Sequence, residues 1–129
     1  MTGNSLTVSS VSSSGPPDIL ISVINYRTAD LTLACAANAL EEIARAAEQG
    51  IRGHLVVIDN ASGDGSAETI EAWIARDASD APVTFLRSPT NSGFSGGHNL
   101  GMAHQEAEFY LLLNSDGLLR PGFIASILA

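Results

Sequence analysis

The sequence predicts an α/β fold: a mostly parallel sheet with helices on both faces, in the order β-α-β-α-β-α-β. Three observations predict it. Short β-branched apolar runs alternate with stretches whose apolar residues recur at helical spacing. The apolar runs are nearly continuous, which is the pattern of strands covered on both faces. The unusual polar residues and glycines follow the C-terminal ends of those runs, where parallel sheets bind their ligands.

Residues 1–18 are rich in Ser, Thr and Gly and end near Gly15-Pro16-Pro17, so they read as a disordered tail preceding a domain over 19–129. Residues 19–26 form the first strand. Asp30 is placed to cap the next helix, where Leu33, Ala37, Leu40, Ala44 and Ala47 recur at helical spacing and Glu42, Arg45 and Glu48 face outward. Gly50 is a natural stop. Residues 54–59 make the second strand, and Ser66 is placed to cap a helix that turns Ala67, Ile70, Trp73 and Ile74 inward. Pro82 opens a third strand over 83–87. A glycine-rich stretch, 91–101, leads into a helix from about Gly97 to Ala107. The fourth strand, 109–113, ends at Asn114-Ser115-Asp116, and a further helix begins near Phe123.

The bulk numbers exclude several classes. With 6 basic and 14 acidic residues the net charge is −8, so no basic stripe is available for nucleic acid. Cys35 is the only cysteine, which leaves no intramolecular disulfide. No apolar run reaches the length of a membrane span and no signal peptide is visible. A cytoplasmic protein is the expectation, with peripheral association at the inner face of the membrane left open. No P-loop occurs, and the first β-α turn, 25–30, lacks the glycines of a dinucleotide fingerprint. Neither a zinc-type Cys/His cluster nor a Gly-x-Ser-x-Gly elbow is present.

What remains is a set of acidic residues at strand ends beside a glycine-rich turn. Asp59, ending a buried run, can accept hydrogen bonds from a ribose or base edge. Asp116 suits a hard divalent cation, Mg²⁺ or Mn²⁺, bound through one or two carboxylates plus substrate phosphates. Gly93, Gly96, Gly97 and Gly101 suit close approach of a nucleotide to backbone N–H groups, or simply a tight loop. His98 is expected to face solvent or cap a helix, His54 and His104 to be surface or packing residues, Cys35 a small core residue, and Trp73 helix packing.

Three motifs occur in a telling order: Asp59-Asn60-x-Ser62-x-Asp64-x-Ser66, then Asn91-x-Gly93-Phe94-x-x-Gly97-x-Asn99-x-Gly101, then Leu113-Asn114-x-Asp116. Together they resemble the nucleotide-binding half of a glycosyltransferase family 2 enzyme with the GT-A fold. Val23-Ile24-Asn25-Tyr26 also resembles the first strand of that family's rhamnosyltransferase-like branch. The resemblance implies a nucleoside-diphosphate sugar as donor. Asn25 and Tyr26 would line the base pocket, and Asp59 would bind the base or ribose. Asn91, Gly93, Gly97 and Asn99 would form a wall against the nucleotide and its sugar. Asn114, in the first position of the family's Asp-x-Asp motif, would take part in binding the nucleotide-sugar. Asp116, in the last position, would hold Mg²⁺ or Mn²⁺.

The family transfers the sugar with inversion to an acceptor hydroxyl, here an acceptor saccharide or lipid-linked saccharide in cell-surface polysaccharide biosynthesis. Its general base would lie beyond Ala129, so the chain reads as a truncated, donor-binding half with no catalytic residue of its own and no activity alone. The alternative is a non-catalytic nucleotide-binding or assembly module. A nucleotidyltransferase is a third reading, but it would need basic residues around a triphosphate, and only Arg27, Arg87 and Arg120 are at hand. An exposed sheet edge in such a half-fold points to a homodimer.

Overall fold

The computed structural model describes residues 16–91 and 93–128. The expected tail over 1–15, Ser92 within the glycine-rich motif, and Ala129 lie outside the described residues. The described chain contains strands β1 (Ile19–Asn25), β2 (Gly53–Asn60), β3 (Val83–Ser88) and β4 (Phe109–Leu113). Helices α1 (Ala29–Ala47), α2 (Ser66–Asp77), α3 (Gly93–His104) and α4 (Phe123–Leu128) follow them in alternation. The sheet is parallel throughout, in the order β3-β2-β1-β4.

β1 and β2 are the central strands, and their continuous apolar runs arise because both faces are covered. Ile19, Ile21 and Val23 of β1 and Leu55 and Val57 of β2 pack under α1, α2 and α4. Leu20, Val56 and Ile58 point to the other face, which α3 covers. Asp18, counted with the tail by sequence, already belongs to the base of the sheet. Its N–H donates to the Arg52 carbonyl at 2.8 Å and its carbonyl accepts the Phe109 N–H at 3.0 Å.

Several local expectations are corrected by tertiary contacts. In α1 the buried face is Thr32, Cys35, Ala36, Ala39, Glu42, Ile43 and Ala46, rotated from the one inferred from leucine and alanine spacing. Glu42, expected outside, is buried: its carboxylate accepts the Gly122 N–H at 2.7 Å and the Arg45 Nε–H at 3.2 Å. It thus ties α1 to the turn preceding α4. Asn38 does the same one turn earlier, pairing both backbone groups of Leu119. The first residues of α1 and α2 are also shifted. Thr28 occupies the position before α1 and Gly65, at φ 90°, the position before α2, where a side chain in that conformation would be strained. The Asp64 carboxylate accepts the Ser66 N–H at 2.9 Å, so Asp64 rather than Ser66 supplies the local cap.

α3 begins four residues earlier than the glycines suggested. Gly97 and Gly101 lie one turn apart on the face pressed to the sheet. A Cβ on Gly97 would stand 2.7 Å from Ile24 Cδ1, and one on Gly101 would stand 2.8 Å from both Ile58 Cδ1 and Ser22 Oγ. These two glycines let the helix approach the sheet closely.

Candidate functional site: a cleft at the carboxyl edge of the sheet

The carboxyl ends of β1 and β2 are bound together by a buried polar knot. Asn25 and Asp59 are register partners, and Asn25 Nδ2 donates to Asp59 Oδ1 at 2.9 Å. Ser62 closes the knot. Its Oγ donates to Asp59 Oδ1 at 2.6 Å, its N–H donates to Asp59 Oδ2 at 3.2 Å, and its Oγ accepts the Arg27 N–H at 2.9 Å. Asn25 Oδ1 in turn accepts from Thr32 Oγ1 at 2.7 Å and Thr28 Oγ1 at 3.3 Å. Both Asn25 and Asp59 are buried, Asp59 being 4% exposed. Strand alternation explains the grouping: Asn25 and Asp59 face the α1 side, while the adjacent Ile24 and Asn60 face α3.

Two residues of this region carry positive φ without being glycine, Arg27 at 58° and Ala61 at 60°. Such conformations cost energy and persist where surroundings over-determine them. Here the Ser62 bonds to Arg27 N and from Arg27 Nε to Ser62 O, at 2.9 Å each, supply that constraint. The result turns Tyr26 outward, with the Arg27 guanidinium 5.3 Å from its ring centre.

Beyond the knot lies an open cleft of about 600 Å³. Tyr26, Thr28 and Leu31 form one side, Asn60, Asn91 and Gly93 another, and residues 113–116 the third, with Ile24 as part of the floor. Five expected site residues, Tyr26, Asn91, Gly93, Asn114 and Asp116, therefore come together. Four do not line it. Asn25 and Asp59 are buried behind it in the knot, Gly97 is buried between α3 and the sheet, and Asn99 is exposed further along α3. A second, smaller cleft of about 410 Å³ adjoins at Thr28 and Leu31, between the starts of α1 and α2, and includes Arg27 and Asp64.

Asn114 to Gly117 form a tight turn, closed by the Gly117 N–H to Asn114 carbonyl bond at 2.8 Å. Asn114 and Asp116 are both exposed at the cleft. Thr28 Oγ1 reaches Ser115 Oγ at 3.4 Å, joining this turn to the end of β1. The Cys35 thiol lies 3.5 Å from the Asn114 carbonyl. Burial, and then the nearby Asp116 charge, push that thiol up to about 11, so it stays protonated and inert.

Sequence reasoning did not assign roles to Thr28, Asn60, Ser62 or Ser115. Asn60 had a usable signal: in a strand, adjacent polar residues at its end point to opposite faces, so Asp59 and Asn60 cannot share a role. His98 is a correction. It is 1% exposed and its Nδ1 lies 2.8 Å from Ser22 Oγ, sealing α3 to β1, and burial lowers its pKa. The signal was Ser22, a lone hydroxyl inside an apolar strand. Arg87, counted among candidate bases near the site, is engaged by Glu71 at 2.8 Å and Glu68 at 3.2 Å on α2.

A parallel sheet with helices on both faces and a polar cleft at its carboxyl edge is the architecture of the GT-A fold, and solved structures with that fold superpose well. The mannosyltransferase PcManGT from Pyrobaculum calidifontis, solved with GDP-Man and Mn²⁺, aligns with a TM-score of 0.72 at 23% identity, over 87% of this chain and 31% of that one. S. aureus TarS 1-349 aligns with a TM-score of 0.68 at 16% identity, over 85% of this chain and 31% of that one. Residues 19–129 match the family model for glycosyl transferase family 2, and the chain belongs to that family. It is also 27% identical over 105 residues to the succinoglycan biosynthesis protein ExoO of Rhizobium meliloti (strain 1021), covering 81% of this chain and 27% of that protein. The chain thus spans less than a third of the length of each of these proteins.

Proposed function

We propose that this chain is the donor-binding part of an inverting glycosyltransferase that moves a sugar from a nucleoside-diphosphate sugar to an acceptor hydroxyl. The observation that carries the reading is the convergence of Tyr26, Asn91, Gly93, Asn114 and Asp116 on one cleft outside the strand ends. Family membership, the mannosyltransferase's complex with GDP-Man and Mn²⁺, and a TarS structure with UDP support it. The polysaccharide role of ExoO supports a saccharide or lipid-linked saccharide as acceptor.

The electrostatics of the cleft support a metal. Among the described residues that line it none is basic, yet a diphosphate there needs its charge neutralised. The donors present, the Asp116 carboxylate and the Asn114 amide oxygen, are hard oxygen ligands. Among the described residues no group of three His, Cys, Asp or Glu could cage an ion. That donor set fits Mg²⁺ or Mn²⁺ shared with substrate phosphates, not a cation held by protein alone. When bound, such an ion would supply charge stabilisation for the departing diphosphate.

In this reading the chain's own residues position the donor. Tyr26 offers a ring face to the base, stiffened by the Arg27 guanidinium against it. Asp59, Asn25 and Ser62 hold that turn in place. Asn91, Gly93 and the start of α3 bound the opposite side. The base that deprotonates the acceptor belongs to the acceptor-binding part of the full-length enzyme.

Titration calorimetry of residues 1–129 with UDP and GDP, with and without Mn²⁺, tests the donor site. Metal-dependent binding of one nucleotide is expected. Asp116→Ala should weaken it about tenfold or more in Mn²⁺ and abolish the metal dependence. Binding of neither nucleotide in any condition would rule the reading out. Unchanged affinity in Asp116→Ala would remove Asp116 from the metal site.

A further inference from the structure

Asn60 closes β2 and is 3% exposed, with its side chain on the α3 side of the sheet. Its Nδ2 donates to Asn91 Oδ1 at 3.0 Å and to the Gly93 carbonyl at 3.1 Å. Asn91 Oδ1 also accepts the Gly93 N–H at 2.9 Å, and Gly93 sits at φ 78°. One buried carboxamide therefore holds both the side chain and the backbone of the turn that opens α3. All three residues line the 600 Å³ cleft.

The first turn of α3 has little intrinsic reason to be helical. Gly93, Ser95 and Gly96 are poor helix formers, each glycine costing about 1 kcal/mol against alanine. A first turn of this composition frays unless tertiary contacts hold it. Gly97 and Gly101 hold the middle of the helix against Ile24, Ile58 and Ser22, but they lie beyond the first turn. At the very start, among the described residues, the Asn60 carboxamide links the turn that opens the helix to the end of β2.

We propose that Asn60 is a positioning residue of the cleft: its amide latches Asn91 and Gly93 to the end of β2, so that the glycine-rich wall is set before a nucleotide arrives. This rests on the donor-cleft reading. A pre-set wall spares the ligand the ordering cost of a mobile segment, so the latch acts on affinity. The chemistry demands a donor at position 60. Both partners are acceptors, so alanine removes the contact, and an ionised carboxylate would face two oxygens.

Two measurements test it, hydrogen exchange in the ligand-free protein and calorimetric affinity for UDP and GDP with Mn²⁺. Asn60→Ala should speed exchange of the amides of residues 97–100, which donate to the carbonyls at the start of α3, about tenfold, leave those of α1 unchanged, and weaken the bound nucleotide about tenfold. Asn91 is exposed, so Asn91→Ala keeps the fold and should produce the part of the losses that runs through Asn91, the Asn60 bond to the Gly93 carbonyl remaining. The losses of the double variant should fall short of the sum of the two single ones, because the Asn60–Asn91 bond is shared. Asn60→Asp should be at least as weak as Asn60→Ala at neutral pH, because an ionised carboxylate cannot donate to either oxygen. Unchanged exchange of the amides of residues 97–100 overturns the latch whatever the nucleotide result. Additive losses in the double variant overturn the route through Asn91. Failure of the parent chain to bind either nucleotide, with the exchange result as expected, overturns the donor-cleft reading and the role of Asn60 in it.

Discussion

The Asp59 carboxylate meets three donors from its own chain, Asn25 Nδ2, Ser62 Oγ and Ser62 N–H. In the sequence it reads as a ligand-binding group at a strand end. In the fold it also braces the turn that presents Tyr26. His54 shows the same dependence on surroundings. Sequence reads it as a surface or packing residue; the structure wedges it between β2 and β3, where Nε2 lies 2.8 Å from Thr84 Oγ1. Burial, and secondarily the proximity of His104, lower its pKa from 6.5 to about 4. The neutral form is thus favoured by folding, and the unfolded chain binds the extra proton first. Stability from this group is fully present above pH 6.5 and is lost as pH falls toward 4. Thermal melts between those values should show a falling Tm, and His54→Gln should flatten part of the fall. An identical slope in the variant would remove His54 as a cause. Burial of His98 lowers its pKa as well and adds to the same trend.

At the scale of the element, α3 is the piece whose sequence and structure disagree most. Its glycines mark a loop by propensity, yet they form a helix because a helix without side chains on one face can lie flat on the sheet. Gly101 makes the point testable. In an exposed helix Gly→Ala stabilises by about 1 kcal/mol. Here the new methyl would meet Ile58 Cδ1 and Ser22 Oγ at 2.8 Å, both from buried residues. Gly101→Ala should therefore destabilise, by about 1–3 kcal/mol in urea denaturation, the usual cost of overpacking. A stabilised variant would show that α3 is not pressed to the sheet. The strands, by contrast, were legible almost to the residue, because a short, nearly continuous apolar run bounded by polar residues, Gly or Pro has few other readings. The helix faces were not: the buried Glu42 takes one of its partners, the Gly122 N–H, from eighty residues away.

For the whole molecule, β4 is the exposed flank. It pairs only with β1 in the described sheet, and Phe109, Tyr110 and Leu112 are 49%, 41% and 43% exposed. No charge or proline interrupts residues 109–113, the devices by which edge strands resist pairing. Residues 1–129 by themselves are expected to associate with rising concentration through this edge. Sedimentation velocity should show it, and Leu112→Lys should suppress it. Association undiminished in that variant would locate the contact elsewhere. Among the described residues no helix is long and apolar enough to cross a membrane.

The parallel α/β order, the family and the clustering of polar residues at strand ends were legible from sequence alone, since alternating periodicities and strand-end motifs are local properties. The sequence also placed Tyr26, Asn91, Gly93, Asn114 and Asp116 near one site. Packing set which polar residues open into that cleft and which brace it. Asn25, Asp59 and Gly97 turned inward, and Asn60, without an assigned role in sequence, became part of the wall. The reason is geometric. A strand sends neighbouring residues to opposite faces, and which face holds a cleft depends on helices packed from elsewhere in the chain.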